Sequence, residues 1–163
     1  MKILLNDIFR PIVGVLLISL SVFVISCSNK ELFSEFHSFQ KSEWEKQEVV
    51  RFEVPVTDAS PRYDVFLEIR NNNNYPFRNL WLFVDYQTPT GSVRSDTLHV
   101  ELADMYGKWY GKGISLYSYS FPYELNIQYP DTGKYVYTIR HGMRENPLKG
   151  ISDIGLRVSR QPD

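Results

Sequence analysis

A chain of 163 residues that is 43% hydrophobic and 23% charged carries enough apolar material for one domain with a buried core, which excludes a disordered chain and a multispanning membrane protein. Its formal net charge is −1, so it lacks the basic footprint of a nucleic-acid binder. A single cysteine excludes an intramolecular disulfide and the Cys-rich zinc ligand sets.

That cysteine, Cys27, closes a leader. Lys2 and Arg10 precede residues 12–25, which carry no charged side chain, and the run ends Val24-Ile25-Ser26-Cys27. Charged, apolar and small-residue regions in that order make a secretory signal. As a helix the apolar stretch would measure about 21 Å, short of the roughly 30 Å hydrocarbon core of a bilayer, so residues 1–26 read as a removable signal peptide. The last four residues resemble the bacterial lipobox, with Val24 and Ser26 in its aliphatic and small positions. The chemistry needs a thiol, because sulfur is the nucleophile that takes the diacylglyceryl group, and a small neighbour, so that a peptidase can cut between Ser26 and Cys27. Acyl chains such as palmitate then hold the protein to a membrane, at about 0.8 kcal/mol per buried CH₂. Ser28 is not the aspartate associated with inner-membrane retention, which favours the outer membrane without choosing one of its faces. Removal of the leader takes away Lys2, Arg10 and Asp7 and leaves 16 basic and 18 acidic residues.

Residues 27–46 read as a lipidated tether. Leu32, Phe33, Phe36 and Phe39 lie at near-helical spacing and predict a short helix or a segment packed on the domain. Over residues 47–163 the period is two. Val50, Phe52, Val54 and Val56 alternate with polar neighbours, as do Tyr63, Val65, Leu67 and Ile69, and both runs predict half-buried strands. Asn71, Asn72, Asn73 and Asn74 before Tyr75-Pro76 predict a turn closing a hairpin, because asparagine tolerates left-handed backbone and the residue before proline resists helix. Leu80, Leu82, Val84 and Tyr86 resume the alternation, Pro89-Thr90-Gly91 reverses the chain, and residues 93–102 form a strand with Leu98, Val100 and Leu102 inward. A glycine-bearing loop follows, and further strands are predicted at 125–129, 134–141 and 154–158. Seven or more short strands without a long helix argue for an all-β, antiparallel β-sandwich, immunoglobulin-like or, as the alternative, a jelly roll. Asp131-Thr132-Gly133-Lys134-Tyr135 resembles the tyrosine corner of immunoglobulin-like sandwiches.

Little in this chain points to catalysis or to a cofactor. His37, His99 and His141 are far apart and form no ligand pair. No Gly-x-Ser-x-Gly elbow is present, and Gly107-Lys108-Trp109-Tyr110-Gly111-Lys112-Gly113 lacks the spacing and the Lys-Ser/Thr ending of a phosphate loop. Asp85, Asp96, Glu101 and Asp104 could supply a glycosidase's two carboxylates only if a cleft brought a pair together. Binding offers more. Trp109 is either tucked against the sandwich or an exposed anchor, and Tyr117, Tyr119, Phe121 and Tyr123 recur every second residue as a stripe that is core if inward and a partner- or sugar-stacking face if outward; the inward reading is favoured, because aromatic side chains are a major component of sandwich interiors.

Several blocks together resemble the GldH family of gliding-motility lipoproteins of Bacteroidetes: the anchor at Cys27, Arg70-Asn71-Asn72-Asn73-Asn74-Tyr75-Pro76-Phe77-Arg78-Asn79-Leu80, Ala103-Asp104 with Gly107-Lys108-Trp109 and Gly111-Lys112-Gly113, and Gly150-Ile151-Ser152-Asp153-Ile154-Gly155-Leu156-Arg157. The resemblance implies an envelope component with no enzymatic activity and no cofactor, acting with other gliding lipoproteins and the linked type IX secretion machinery at the outer membrane. It transfers a role to Cys27 alone. Trp109, Tyr117 and Tyr119 are the candidate partner-binding residues, and a carbohydrate-binding surface lipoprotein is the alternative.

Overall fold

The computed structural model describes residues 31–162; the leader and Cys27 lie outside them. The strands are β1 (Glu31–Ser38), β2 (Glu43–Trp44), β3 (Val50–Val56), β4 (Tyr63–Asn72), β5 (Asn79–Gln87), β6 (Val93–Glu101), β7 (Leu116–Ile127), β8 (Gly133–His141), β9 (Leu148–Lys149) and β10 (Ile151–Arg160). Two four-stranded antiparallel sheets, in the orders β1-β10-β4-β7 and β3-β8-β5-β6, face each other, and β2 pairs β9 beside them.

The pairing has a simple rule. β1 pairs β10, β2 pairs β9, β3 pairs β8, β4 pairs β7 and β5 pairs β6. The chain is therefore one long ribbon doubled back at the β5–β6 hairpin and wrapped so that successive rungs alternate between the sheets, with β10–β4 and β5–β8 sealing the wraps. The expected β-sandwich is present, and of its two topologies this strand order is the jelly roll. The tyrosine corner occurs within it: the Tyr135 hydroxyl donates to the Asp131 carbonyl at 2.8 Å and accepts from the Asp131 N–H at 3.2 Å.

Alternation builds the core as the sequence dictates, since successive side chains of a strand point to opposite faces. Val50, Phe52, Val54 and Val56, Tyr63, Val65, Leu67 and Ile69, and Leu80, Leu82 and Val84 are buried between the sheets with Tyr135, Tyr137, Ile139, Ile154, Leu156 and Val158. Three expectations change. Of the two readings of residues 31–38, the segment packed on the domain is the one present, as strand β1 and not as a helix: Phe33 faces the core while Phe36 lies outside against Gly155, so the sandwich already includes residues assigned to the tether, ahead of the expected boundary at 47. The asparagine turn does not close a hairpin, because β4 and β5 belong to different sheets; it is the corner where the chain crosses between them. The strand expected at 125–129 starts earlier and takes in the aromatic stripe.

The two ends of the sandwich differ. Glu31 pairs Ser159 and Arg160 pairs Tyr63, so the start of β1, the end of β10 and the loops at 57–62, 88–92 and 128–132 share one end. The loops at 73–78, 102–115 and 142–147 make the other.

Candidate functional site

Cys27 and Ser26, the residues with the firmest chemistry, lie outside the described residues. What the structure adds is where their attachment leads: β1 is an edge strand that enters the fold at one end. No helix among the described residues is long and apolar enough to cross a membrane.

The three candidate partner-binding residues, Trp109, Tyr117 and Tyr119, are half-buried. Tyr119 and Phe121 stand opposite Ile69 and Leu67, on the inner face of β7, and together with Trp109 and Tyr123 they are partly buried against the core. β7 is the outer strand of its sheet, so the stripe is half-covered and closes the sandwich's open side. Its hydroxyls are used there: Tyr117 donates to the Ile114 carbonyl at 2.7 Å and Tyr123 to Asp96 at 2.5 Å. Trp109 sits between Tyr75 and Tyr117, with ring centroids at 6.3 and 5.9 Å, and pins the 102–115 loop. That loop needs Gly107 at φ +82° and Gly113 at φ +155°, where an added Cβ would lie 1.8 Å from the Leu116 carbonyl oxygen.

The open aromatic surface is on the other sheet. Trp81 and Phe83 stand on the outer face of β5, 41% and 39% exposed. His99 on β6 stacks on Trp81 at 4.5 Å, and the Arg140 guanidinium lies 5.8 Å from the Phe83 ring centre. Where β8 runs out, Gly142 takes the next place and donates its N–H to the Trp81 carbonyl at 2.7 Å. Beside it lies a groove of about 560 Å³, walled by Phe77, Trp81, Phe83 and Met143, with Asn79, Arg144 and Glu145 at its rim. A Cβ on Gly142 would come within 3.0 Å of the Phe83 ring and 3.2 Å of the Trp81 Cβ, so a side chain there would push on the Phe83 ring. Sequence reasoning missed the site although its signal was present: once Leu80, Leu82 and Val84 are assigned inward, Trp81 and Phe83 must face out.

The acidic candidates have local partners. Asp85 accepts from Ser95 Oγ at 2.6 Å and lies 3.4 Å from Arg140. Asp96 pairs with Arg94 at 3.1 Å and accepts from Tyr123. Asp104 caps its own loop by accepting the Tyr106 and Lys108 N–H groups at 2.8 and 2.9 Å, an Asx-type turn. Glu101 is exposed beside Arg78 and Tyr110. No group of three or more His, Cys, Asp or Glu side chains among the described residues could hold a metal ion.

The histidines are also separate. His37 bonds Glu48 at 2.8 Å, His99 backs Trp81, and His141 is 2% exposed against Trp44 with neither ring nitrogen in hydrogen-bond geometry. Burial, reinforced by the charge of Lys46, holds the His141 imidazole below its ordinary pKa of 6.5. A depressed folded-state value means that the unfolded chain binds the extra proton first, so this contribution to stability is complete above the unfolded pKa and is lost as pH falls through the folded one. Urea midpoints should therefore drop as pH falls below the ordinary imidazole pKa of 6.5, and more steeply in the wild type than in His141→Leu. Equal slopes would show that His141 is not a source of the dependence.

Comparison with known proteins places this architecture. The profile of a family described as GldH lipoprotein matches residues 31–158, from the first described strand into the last. The chain is 35% identical over 156 residues to a protein of Flavobacterium johnsoniae named gliding motility lipoprotein GldH, covering 91% of this chain and 96% of that one. It is 36% identical over 143 residues to a Christiangramia forsetii protein named as a GldH homolog, covering 83% and 87% respectively.

Proposed function

The chain belongs to the GldH lipoprotein family, and from that premise we propose that it is a gliding-motility lipoprotein of the outer membrane, serving the gliding and type IX secretion apparatus by binding other envelope proteins. One observation carries the reading: likeness to a gliding motility lipoprotein extends over nearly the full length of both chains. The lipobox-like run ending at Cys27 supports membrane attachment, and Ser28 supports the outer membrane. A binding role without catalysis is supported by the carboxylates, since Asp85, Asp96 and Asp104 already serve the fold.

Deletion in the native host tests this. Colony spreading and export of type IX cargo should both be lost and both return when the wild-type chain is supplied. A deletant that spreads and secretes normally would overturn the proposal.

A further inference from the structure

We propose that the groove lined by Trp81 and Phe83 is a binding site for a neutral glycan. Its walls are aromatic and apolar, its volume is about 560 Å³, and such a cleft with a few convergent polar groups is the usual form of a small-ligand site. The carbon-bound hydrogens on the face of a pyranose pack against aromatic rings, and the groove offers two rings on the same face of one strand, at i and i+2, about 7 Å apart along it. His99 covers Trp81 from the β6 side. On the β8 side the Phe83 ring lies against Gly142.

The rim selects among occupants. Arg144 donates, Glu145 accepts, and the Asn79 amide does both. A hydroxylated ring answers all three, because each hydroxyl both donates and accepts, whereas a proline-rich peptide has few donors for Glu145. One charge of each sign leaves the rim neutral and gives no preference for a phosphate or a lipid headgroup. Arg144 and Glu145 form no ion pair among the described residues. Strand addition is closed off here, because β5 is paired on both sides by β6 and β8 and has no free ladder to offer.

The attachment gives the groove a direction. Four residue steps separate Cys27 from Glu31, and an extended chain reaches about 14 Å over that length. β1 enters at the end opposite the groove's loops, and β5 and β10 each span roughly 30 Å. A sandwich held at Cys27 and standing on its β1 end presents the groove away from the lipid, toward polymer beyond the membrane. Only this orientation rests on the anchor; the binding does not.

The test uses the purified full chain in detergent, titrated at up to millimolar concentrations with oligosaccharides of N-acetylglucosamine, glucose and mannose, read by calorimetry and tryptophan fluorescence. Saturable binding of at least one series is expected. Trp81→Ala should weaken it at least about tenfold, and Phe83→Ala, which removes the second ring, should do the same. Leu125→Ala, at an exposed position on the other sheet, should leave it unchanged. Trp81 and Phe83 both stand on the outer face of β5, and a far-ultraviolet circular dichroism spectrum like the wild type's in each variant separates lost binding from lost folding. Absence of saturable binding to all three series, undiminished binding by Trp81→Ala, or saturation by a proline-rich peptide in place of sugar would each overturn the proposal.

Discussion

Replacing Gly150 by alanine is expected to cost about 3 to 5 kcal/mol, a large share of the roughly 5–15 kcal/mol that holds a domain together. Two penalties combine. Gly150 has φ +89°, where a side chain costs about 1–2 kcal/mol, and its Cβ would lie 2.2 Å from the Tyr75 nitrogen and 2.4 Å from the Tyr75 Cα. Main chain cannot swing aside as a side-chain tip can, so the overpacking falls at or above the usual 1–3 kcal/mol. The contact is also a hub: Gly150 donates to the Ser42 carbonyl at 2.8 Å and accepts from the Asn72 N–H at 2.9 Å, joining the β2 entry, the asparagine corner and the β9–β10 turn. Gly91 is the control. Its φ is +91° but nothing lies within 4 Å of the added Cβ, so Gly91→Ala should lose only about 1–2 kcal/mol. Urea unfolding of the two variants side by side checks both figures, and equal losses would show that the close approach at Tyr75 is not a constraint.

Cys27→Ser should produce the largest functional effect. The serine hydroxyl does not replace the thiol as acyl acceptor, so the chains whose burial contributes about 0.8 kcal/mol per CH₂ are never attached. The protein should move from the membrane pellet to the soluble fraction, and the strain should cease to glide although the sandwich, which begins in the described chain at Glu31, stays folded. Fractionation by immunoblot with a parallel spreading assay reads both effects. A variant that still pellets with membranes and supports spreading would separate the family's role from its anchor.

How much of this was legible beforehand depends on the range of the forces involved. Alternation is local, so the strands at residues 50–56, 63–69 and 134–141 and their inward faces were readable directly. So was the tyrosine corner, whose partners are four residues apart. Pairing is not local. Nothing near Glu31 says that its partner is Ser159, and the spacing of Phe33, Phe36 and Phe39 suits a helix as well as an edge strand. The asparagine run signals a reversal without stating whether the chain returns to the same sheet, which is why a corner resembled a hairpin. β2 and β9 have two residues each, too few for any pattern, although Trp44 on β2 is fully buried and stacks on Phe39 at 4.6 Å. The aromatic stripe was visible as a stripe, and its half-buried state follows from β7 lying at a sheet edge. The Trp81–Phe83 groove needed one further step, from an inward assignment to its outward complement, and the contact of Gly142 with the Phe83 ring shows only once β8 is set beside β5.

The central claim is that a lipid on one sulfur holds this jelly roll in the envelope. Mass spectrometry of the protein from its native membrane tests that most directly. The account predicts an N-terminal peptide beginning at Cys27 and carrying a diacylglyceryl thioether; a peptide retaining residues 1–26, or an unmodified Cys27 thiol, would contradict it.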